Sequence, residues 1–180
     1  KMRKDVPKFH IDAAFGPAVG LSGLSSHAGP AIRLAGLWRT WRYFGWGAAF
    51  DTQFLMGKGV SRPGFAPALT AKFFIPLRRR HYLTPKESWE IGLQAAAGYI
   101  EQGLVRDSLK WVAQGIHLNA AVDLAYWYTT NMRFFGRVEF ASPFWTDLCE
   151  ESSATRHCET RERFDGRMLA ILAGISFAIF

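Results

Sequence analysis

Three features of the 180-residue sequence predict an all-β fold, an eight-stranded antiparallel up-and-down transmembrane β-barrel. Eight segments alternate with a period of two, the signature of strands rather than helices. In most of them the large apolar side chains share one face, while Gly, Ala and scattered polar residues share the other. Finally, the chain ends on thirteen apolar or small residues, Met168 to Phe180. That run is too short for a spanning helix, which needs about 20 residues, but longer than the roughly 9–11 of a tilted spanning strand.

The first segment, Lys8 to Leu21, sets Phe9, Ile11, Ala13, Phe15, Pro17, Val19 and Leu21 against His10, Asp12, Ala14, Gly16, Ala18 and Gly20. Ala28 to Arg39 sets Pro30, Ile32, Leu34 and Trp38 against Ala31, Arg33, Ala35 and Arg39, with Gly36 and Leu37 blurring its end. The cleanest alternation, Phe44 to Gly57, places Phe44, Trp46, Phe50, Phe54 and Met56 opposite Gly45, Gly47, Asp51 and Gln53. Phe65 to Arg78 follows, then Ser88 to Glu101, where Trp89, Ile91, Leu93 and Tyr99 oppose Glu90, Gly92, Gln94 and Gly98. Gly115 to Tyr128 sets Ile116, Leu118, Val122, Leu124 and Tyr126 against His117, Asn119, Asp123, Ala125 and Trp127. Arg133 to Ser142 and the terminal run complete the set; in the former, Phe134, Val138 and Phe140 oppose Arg133, Arg137 and Glu139.

Connections alternate in character, as an up-and-down barrel requires. Tight turns fall near Thr40–Arg42 and Thr129–Met132, and with Arg79–Lys86 they define one end. Longer polar stretches, Ser22–His27, Lys58–Gly64, Gln102–Gln114 and Pro143–Asp165, are expected as loops at the other. A soluble β-barrel burying the large face is disfavoured, because an eight-stranded interior is only just wide enough for side chains and Phe, Ile, Leu and Trp would overfill it. A Gly and Ala face with few charges would also serve a soluble surface poorly.

The final stretch follows a polar loop and stops on an aromatic residue, and in this it resembles the last strand of a bacterial outer-membrane β-barrel. The resemblance implies that Phe180 forms part of the signal read by the barrel-assembly machinery. It further implies a single domain over residues 1–180 in the bacterial outer membrane, surrounded by lipid and lipopolysaccharide. Both termini are then periplasmic, with a short periplasmic segment at residues 1–7. The phase departs from the family: apolar residues are expected at Phe180, Ala178, Ser176, Gly174 and Leu172, whereas the bulkier set is Ile179, Phe177, Ile175, Ile171 and Leu169. A bulge that shifts the phase, or a terminus beyond Phe180, would reconcile the two.

With Lys and Arg totalling 22 against 15 Asp and Glu, the formal charge is +7, yet no basic run is interleaved with stacking aromatics, so no nucleic-acid partner is expected. If the small face points inward, the lumen holds His10, Asp12, Arg33, Asp51, Lys72, Glu90, Gln94, His117, Asn119, Asp123, Arg137 and Glu139. Isolated charges there would be costly, so a cross-strand network that plugs the barrel is expected. Arg39, Arg42, Arg78, Arg79 and Arg80 are expected at a basic periplasmic rim, with His81 and Lys86 nearby and Trp38, Trp41, Tyr43 and Tyr82 as interfacial anchors.

Cys149 and Cys158, an even count confined to one stretch, are expected to form a disulfide in an oxidising compartment; free thiols would mark a cytosolic chain. A metal centre recruiting His157 and Glu159 matches no common zinc spacing, so neither metal nor cofactor is expected. Ser25, Ser26 and His27 in one loop, with Asp147 and His157 in another, supply the residue types of an outer-membrane acyl hydrolase or acyltransferase. With no recognisable motif behind them, the main expectation is a non-enzymatic structural or anchoring barrel that binds other envelope proteins through its loops or turns. A small channel is the third reading.

Overall fold

The computed structural model describes residues 8–22, 28–54, 64–77, 88–106, 109–151, 156–165 and 167–179. These form nine strands: β1 (Phe9–Ser22), β2 (Ala28–Trp41), β3 (Phe44–Gln53), β4 (Gly64–Pro76), β5 (Ser88–Arg106), β6 (Leu109–Trp127), β7 (Met132–Glu151), β8 (Arg156–Asp165) and β9 (Arg167–Ile179). Each of β1 to β7 pairs antiparallel with the next, and β9 closes the ring by pairing with both β7 and β1. Eight strands therefore make a closed antiparallel barrel, and β8 lies outside it with β7 as its strand neighbour.

Alternation settles which face is inside. Along β1, His10, Asp12, Ala14 and Ala18 are buried while Ile11, Phe15 and Val19 are exposed. The same holds around the ring, so the outer wall carries Leu34, Trp46, Leu69, Phe73, Leu118, Val122, Val138 and Ile171, all exposed to the surroundings. A continuous apolar band of this kind has no place in water and is the lipid-facing surface of a transmembrane barrel. Trp38, Trp41, Tyr43, Trp89 and Tyr128 cluster toward the end bearing the β2–β3 and β6–β7 turns, where an aromatic girdle meets the interface.

Three expectations need correction. Gln102–Gln114 and Pro143–Asp165 are not loops: β5, β6 and β7 run on beyond the ring, and β8 adds a ninth strand to the extension. The pattern faded there because the outward row past Tyr99, Ile116 and Phe144 turns polar, at Glu101, Gln114 and Asp147, while the backbone ladder continues. Gln114 Nε2 donates to Glu101 Oε2 at 3.1 Å within this row. Next, β2 keeps strict alternation through its apparent blur, because Leu37 simply points inward and is wholly buried. Lastly, no bulge falls within the apolar run of the final strand, since the register shift in its pairing with β1 lies at the strand's start, where Gly20↔Met168 is followed by Ser22↔Arg167. Its pairing with β7 runs without irregularity from Met132↔Phe177 to Ala141↔Met168, so Ile171, Ile175, Phe177 and Ile179 face out and Leu172, Ser176 and Ala178 face in. Phe180 lies outside the described residues.

Candidate functional site: a charged lumen and a stapled extension

Among the described residues, the inward face that alternation creates carries ten charged side chains, each nine-tenths buried or more. Five are basic, Arg33, Arg39, Lys72, Arg133 and Arg137, and five are acidic, Asp12, Asp51, Glu90, Asp123 and Glu139. The ion pairs among them run as one ladder in which acid and base alternate. Asp51 Oδ2 lies 2.6 Å from Arg33 Nη1, which lies 3.4 Å from Glu139 Oε2. Glu139 continues to Arg137 Nε at 2.8 Å, and Arg137 Nη1 to Asp123 Oδ1 at 3.6 Å. Asp123 Oδ2 meets Lys72 Nζ at 2.9 Å, and Lys72 reaches Asp12 Oδ2 at 3.5 Å. Asp12 Oδ1 passes to Arg133 Nη2 at 3.4 Å, Arg133 Nη1 to Glu90 Oε1 at 2.6 Å, and Glu90 Oε2 to Arg39 Nη2 at 3.2 Å.

Neutral groups take up further valences. Arg137 Nη1 donates to Gln94 Oε1 at 2.8 Å, Gln94 donates to Thr70 Oγ1, and Asn119 Nδ2 donates to Glu139 Oε1 at 2.5 Å. Arg39 Nε donates to the Arg42 carbonyl at 3.0 Å, which ties the end of the ladder to the β2–β3 turn. Charges this deeply desolvated persist because each has an opposite partner.

Rings gather in the lumen at the short-turn end. Phe74 is wholly buried and stacks on His10 at 5.3 Å, and His10 meets Trp127 edge-on at 6.0 Å. Three ladder cations approach the Phe74 ring, Arg39 at 4.0 Å, Lys72 at 5.4 Å and Arg133 at 5.6 Å. Toward the other end, Ile100, Ala113, Trp145 and Met168 are buried in one cluster with Ala18, Ala31 and Ala66.

The residues expected in the lumen, His10, Asp12, Arg33, Asp51, Lys72, Glu90, Gln94, His117, Asn119, Asp123, Arg137 and Glu139, are all buried inside the ring. Two ladder members were not among them. Arg133 shares its face with Arg137 and Glu139, so its parity was the available signal. Arg39, assigned to the rim because it stands beside a turn, shares the inward face of Arg33 and points into the barrel. Arg42 is exposed at the turn, its guanidinium 5.3 Å from the Tyr43 ring. Arg78, Arg79, Arg80, His81, Tyr82 and Lys86 lie outside the described residues, as do Ser25, Ser26 and His27. Asp147 is half-buried in β7, accepts from Thr146 Oγ1 at 3.0 Å and pairs in register with Gln114 and Thr160.

Cys149 and Cys158 are register partners on β7 and β8 and are joined by a disulfide. Cys149 is fully buried and Cys158 is exposed. The bond therefore staples the strand outside the ring to the sheet that the ring extends.

No family model matches this chain, and neither does any curated protein. Solved structures do. Neisserial surface protein A (NspA) superposes with a TM-score of 0.66 at 13% identity, over 94% of this chain and 96% of that one. The outer membrane protein OprG from Pseudomonas aeruginosa gives 0.64 at 9% identity, over 97% and 96%. Ail, the attachment invasion locus protein of Yersinia pestis, gives 0.57 at 9% identity, over 97% and 99%. At such identities the likeness speaks to the fold, and the fold is that of the small eight-stranded outer-membrane β-barrels.

Proposed function

We propose that this chain is a sealed barrel of the bacterial outer membrane, with both termini periplasmic, that acts as a non-enzymatic structural or anchoring subunit for other envelope proteins. The observation that carries this reading is the ladder. Ten paired charges and the rings around Phe74 occupy the lumen, which leaves the interior poorly suited to a substrate or a solute path. The surfaces left for recognition are the extension built from β5 to β8 and the short turns at the opposite end.

Lipid and lipopolysaccharide surround the wall, the barrel-assembly machinery inserts the chain, and the partners are proteins rather than nucleic acid. Ail is named for attachment, which is in keeping with a docking extension. Crosslinking in native membranes tests the proposal. A neighbour captured through the extension, and lost when Glu150–Arg156 is deleted while the barrel still migrates as a compact band in unboiled SDS samples, is the expected result. A chain with no crosslinked neighbour at either end would contradict it. Altered lipid A acylation on expression, abolished by Ser26→Ala or His27→Ala, would transfer the assignment to a lipid-modifying enzyme.

A further inference from the structure

The extension has an unusual edge. β8 is the last strand of its sheet, and an outer edge ordinarily invites pairing by another chain. Its sequence, Arg156 to Asp165, holds Arg156, Glu159, Arg161, Glu162, Arg163 and Asp165, a density of charge that opposes such pairing. Its register is also broken: Trp145↔Phe164 is followed by Asp147↔Thr160, so two steps along β7 face four along β8. Charges and a bulge are the devices by which sheet edges are blunted.

Beneath that strand the charge thins out. Along the stretch that β8 pairs with, β7 presents Phe144, Trp145, Leu148 and Cys149 beside Thr146, Asp147, Glu150 and Glu151, and it carries a bulge of its own where Gln114↔Asp147 gives way to Gly115↔Trp145, so the more heavily charged strand covers the less charged one. The ring does not depend on the cover, since β7 meets β9 through Met132–Ala141, below the β8 pairing that begins at Phe144. The disulfide locks the cover down, and its two sulfurs differ in access. Cys158 is exposed and open to a thiolate, whereas Cys149 is buried.

We propose that Cys149–Cys158 is a redox-operated latch, opened by a dithiol reductant, whose release lifts β8 and uncovers the β7 edge for an incoming extended peptide. The reductant's thiolate attacks Cys158 Sγ, the sulfur–sulfur bond breaks, and Cys149 Sγ departs as a thiolate that takes up a proton. The reductant's second thiolate then attacks its own sulfur in the mixed disulfide and frees Cys158. Two electrons pass to the protein and the dithiol becomes a disulfide. Backbone groups on β7 that bonded to β8 are thereby offered to another strand, the mode in which exposed sheet edges bind extended segments. The latch would regulate the docking extension proposed above and rests on that reading for its purpose, but its operation is measurable without any partner.

The full chain folded in phosphatidylethanolamine–phosphatidylglycerol vesicles is treated with dithiothreitol and then with trypsin. Oxidised protein should resist cleavage at Arg156, Arg161 and Arg163, and reduced protein should be cut there about tenfold faster, as expected when local opening eases by that factor. The ring should remain compact in unboiled SDS samples. A fluorescent peptide with the sequence of residues 156–165, Ser replacing its Cys, should bind the reduced protein and the Cys149→Ser/Cys158→Ser variant but not the oxidised protein. Equal cleavage before and after reduction, refusal of the folded protein to alkylate after dithiothreitol, or collapse of the ring on reduction would each overturn the latch. A latch that opens in a protein without crosslinked neighbours would uphold this inference and remove the anchoring proposal alone.

Discussion

Lys72 Nζ sits 2.9 Å from Asp123 Oδ2 with both side chains wholly buried, and the two meet over the backbone of a strand that lies between their own. That strand is β5, and the residue beneath the contact is Gly92, the register partner of Asp123. The pair also joins the two halves of the ladder. Replacing Lys72 by Met leaves Asp123 with Arg137 alone, at 3.6 Å, and weakens the hold on Asp12, at a cost of about 3–5 kcal/mol for a buried pair broken on one side. Urea midpoints in lipid vesicles measure it. The double variant Lys72→Met/Asp123→Leu should recover most of the loss, since Asp12 keeps Arg133 and Arg137 keeps Glu139. Equal midpoints for Lys72→Met and for Arg42→Ala at the exposed turn would mean that the lumen is wet.

Gly92 is the clearance that this contact needs. A Cβ there would stand 2.5 Å from both Asp123 Oδ2 and Lys72 Cε. Gly92→Ala should therefore destabilise by about 1–3 kcal/mol through overpacking. Gly136→Ala is the control: a Cβ there meets nothing within 4 Å, and its effect should stay within about 0.5 kcal/mol. The same urea series distinguishes them, and equal effects would argue against a tightly packed ladder.

Tryptophan fluorescence reads the inside-out arrangement directly. Trp38, Trp41, Trp46 and Trp89 are exposed on the wall, whereas Trp127 and Trp145 are buried. In variants retaining one Trp, brominated lipid should quench the first four strongly and spare the last two. Strong quenching of Trp127 would reverse the assignment of faces.

Phe74 gathers His10 and three cations at one end of the lumen, so Phe74→Ala removes a plug as well as a core ring. The expected loss is about 3–5 kcal/mol of stability. In planar bilayers the unaltered protein should show no discrete conductance, and the variant should show small openings. Steady conductance from the unaltered protein would favour the channel reading.

What could be read from the residues follows one physical rule. Where lipid lies on one side and packed lumen on the other, period two is enforced, and β1, β3 and β6 are legible down to single residues such as Asp12, Asp51 and Asp123. Beyond Tyr99 and Phe144 that enforcement ends, and the pairing of β7 with β8 left no pattern to find. Size also misled. Leu37 and Phe74 are large and apolar yet point inward, each opposite a glycine register partner, Gly47 and Gly92, that brings no side chain of its own to the same face. Arg39 hid behind its position beside a turn, although its parity with Arg33 already placed it inside.

The ladder has a bearing on assembly. Of its nine links, Arg33–Asp51 and Asp123–Arg137 join register partners and Arg137–Glu139 lies within one strand, so these three can exist in a flat sheet. The other six bridge strands that are not neighbours, and Arg133 to Asp12 spans 121 positions of sequence. A sheet that has formed its hydrogen bonds but not yet curled therefore carries Lys72, Arg133, Asp12 and Glu90 unmatched, and drawing these into hydrocarbon singly is prohibitive. Curling and desolvation must advance together, so a half-rolled intermediate is penalised and the last seam, β1 to β9, closes as an all-or-none event.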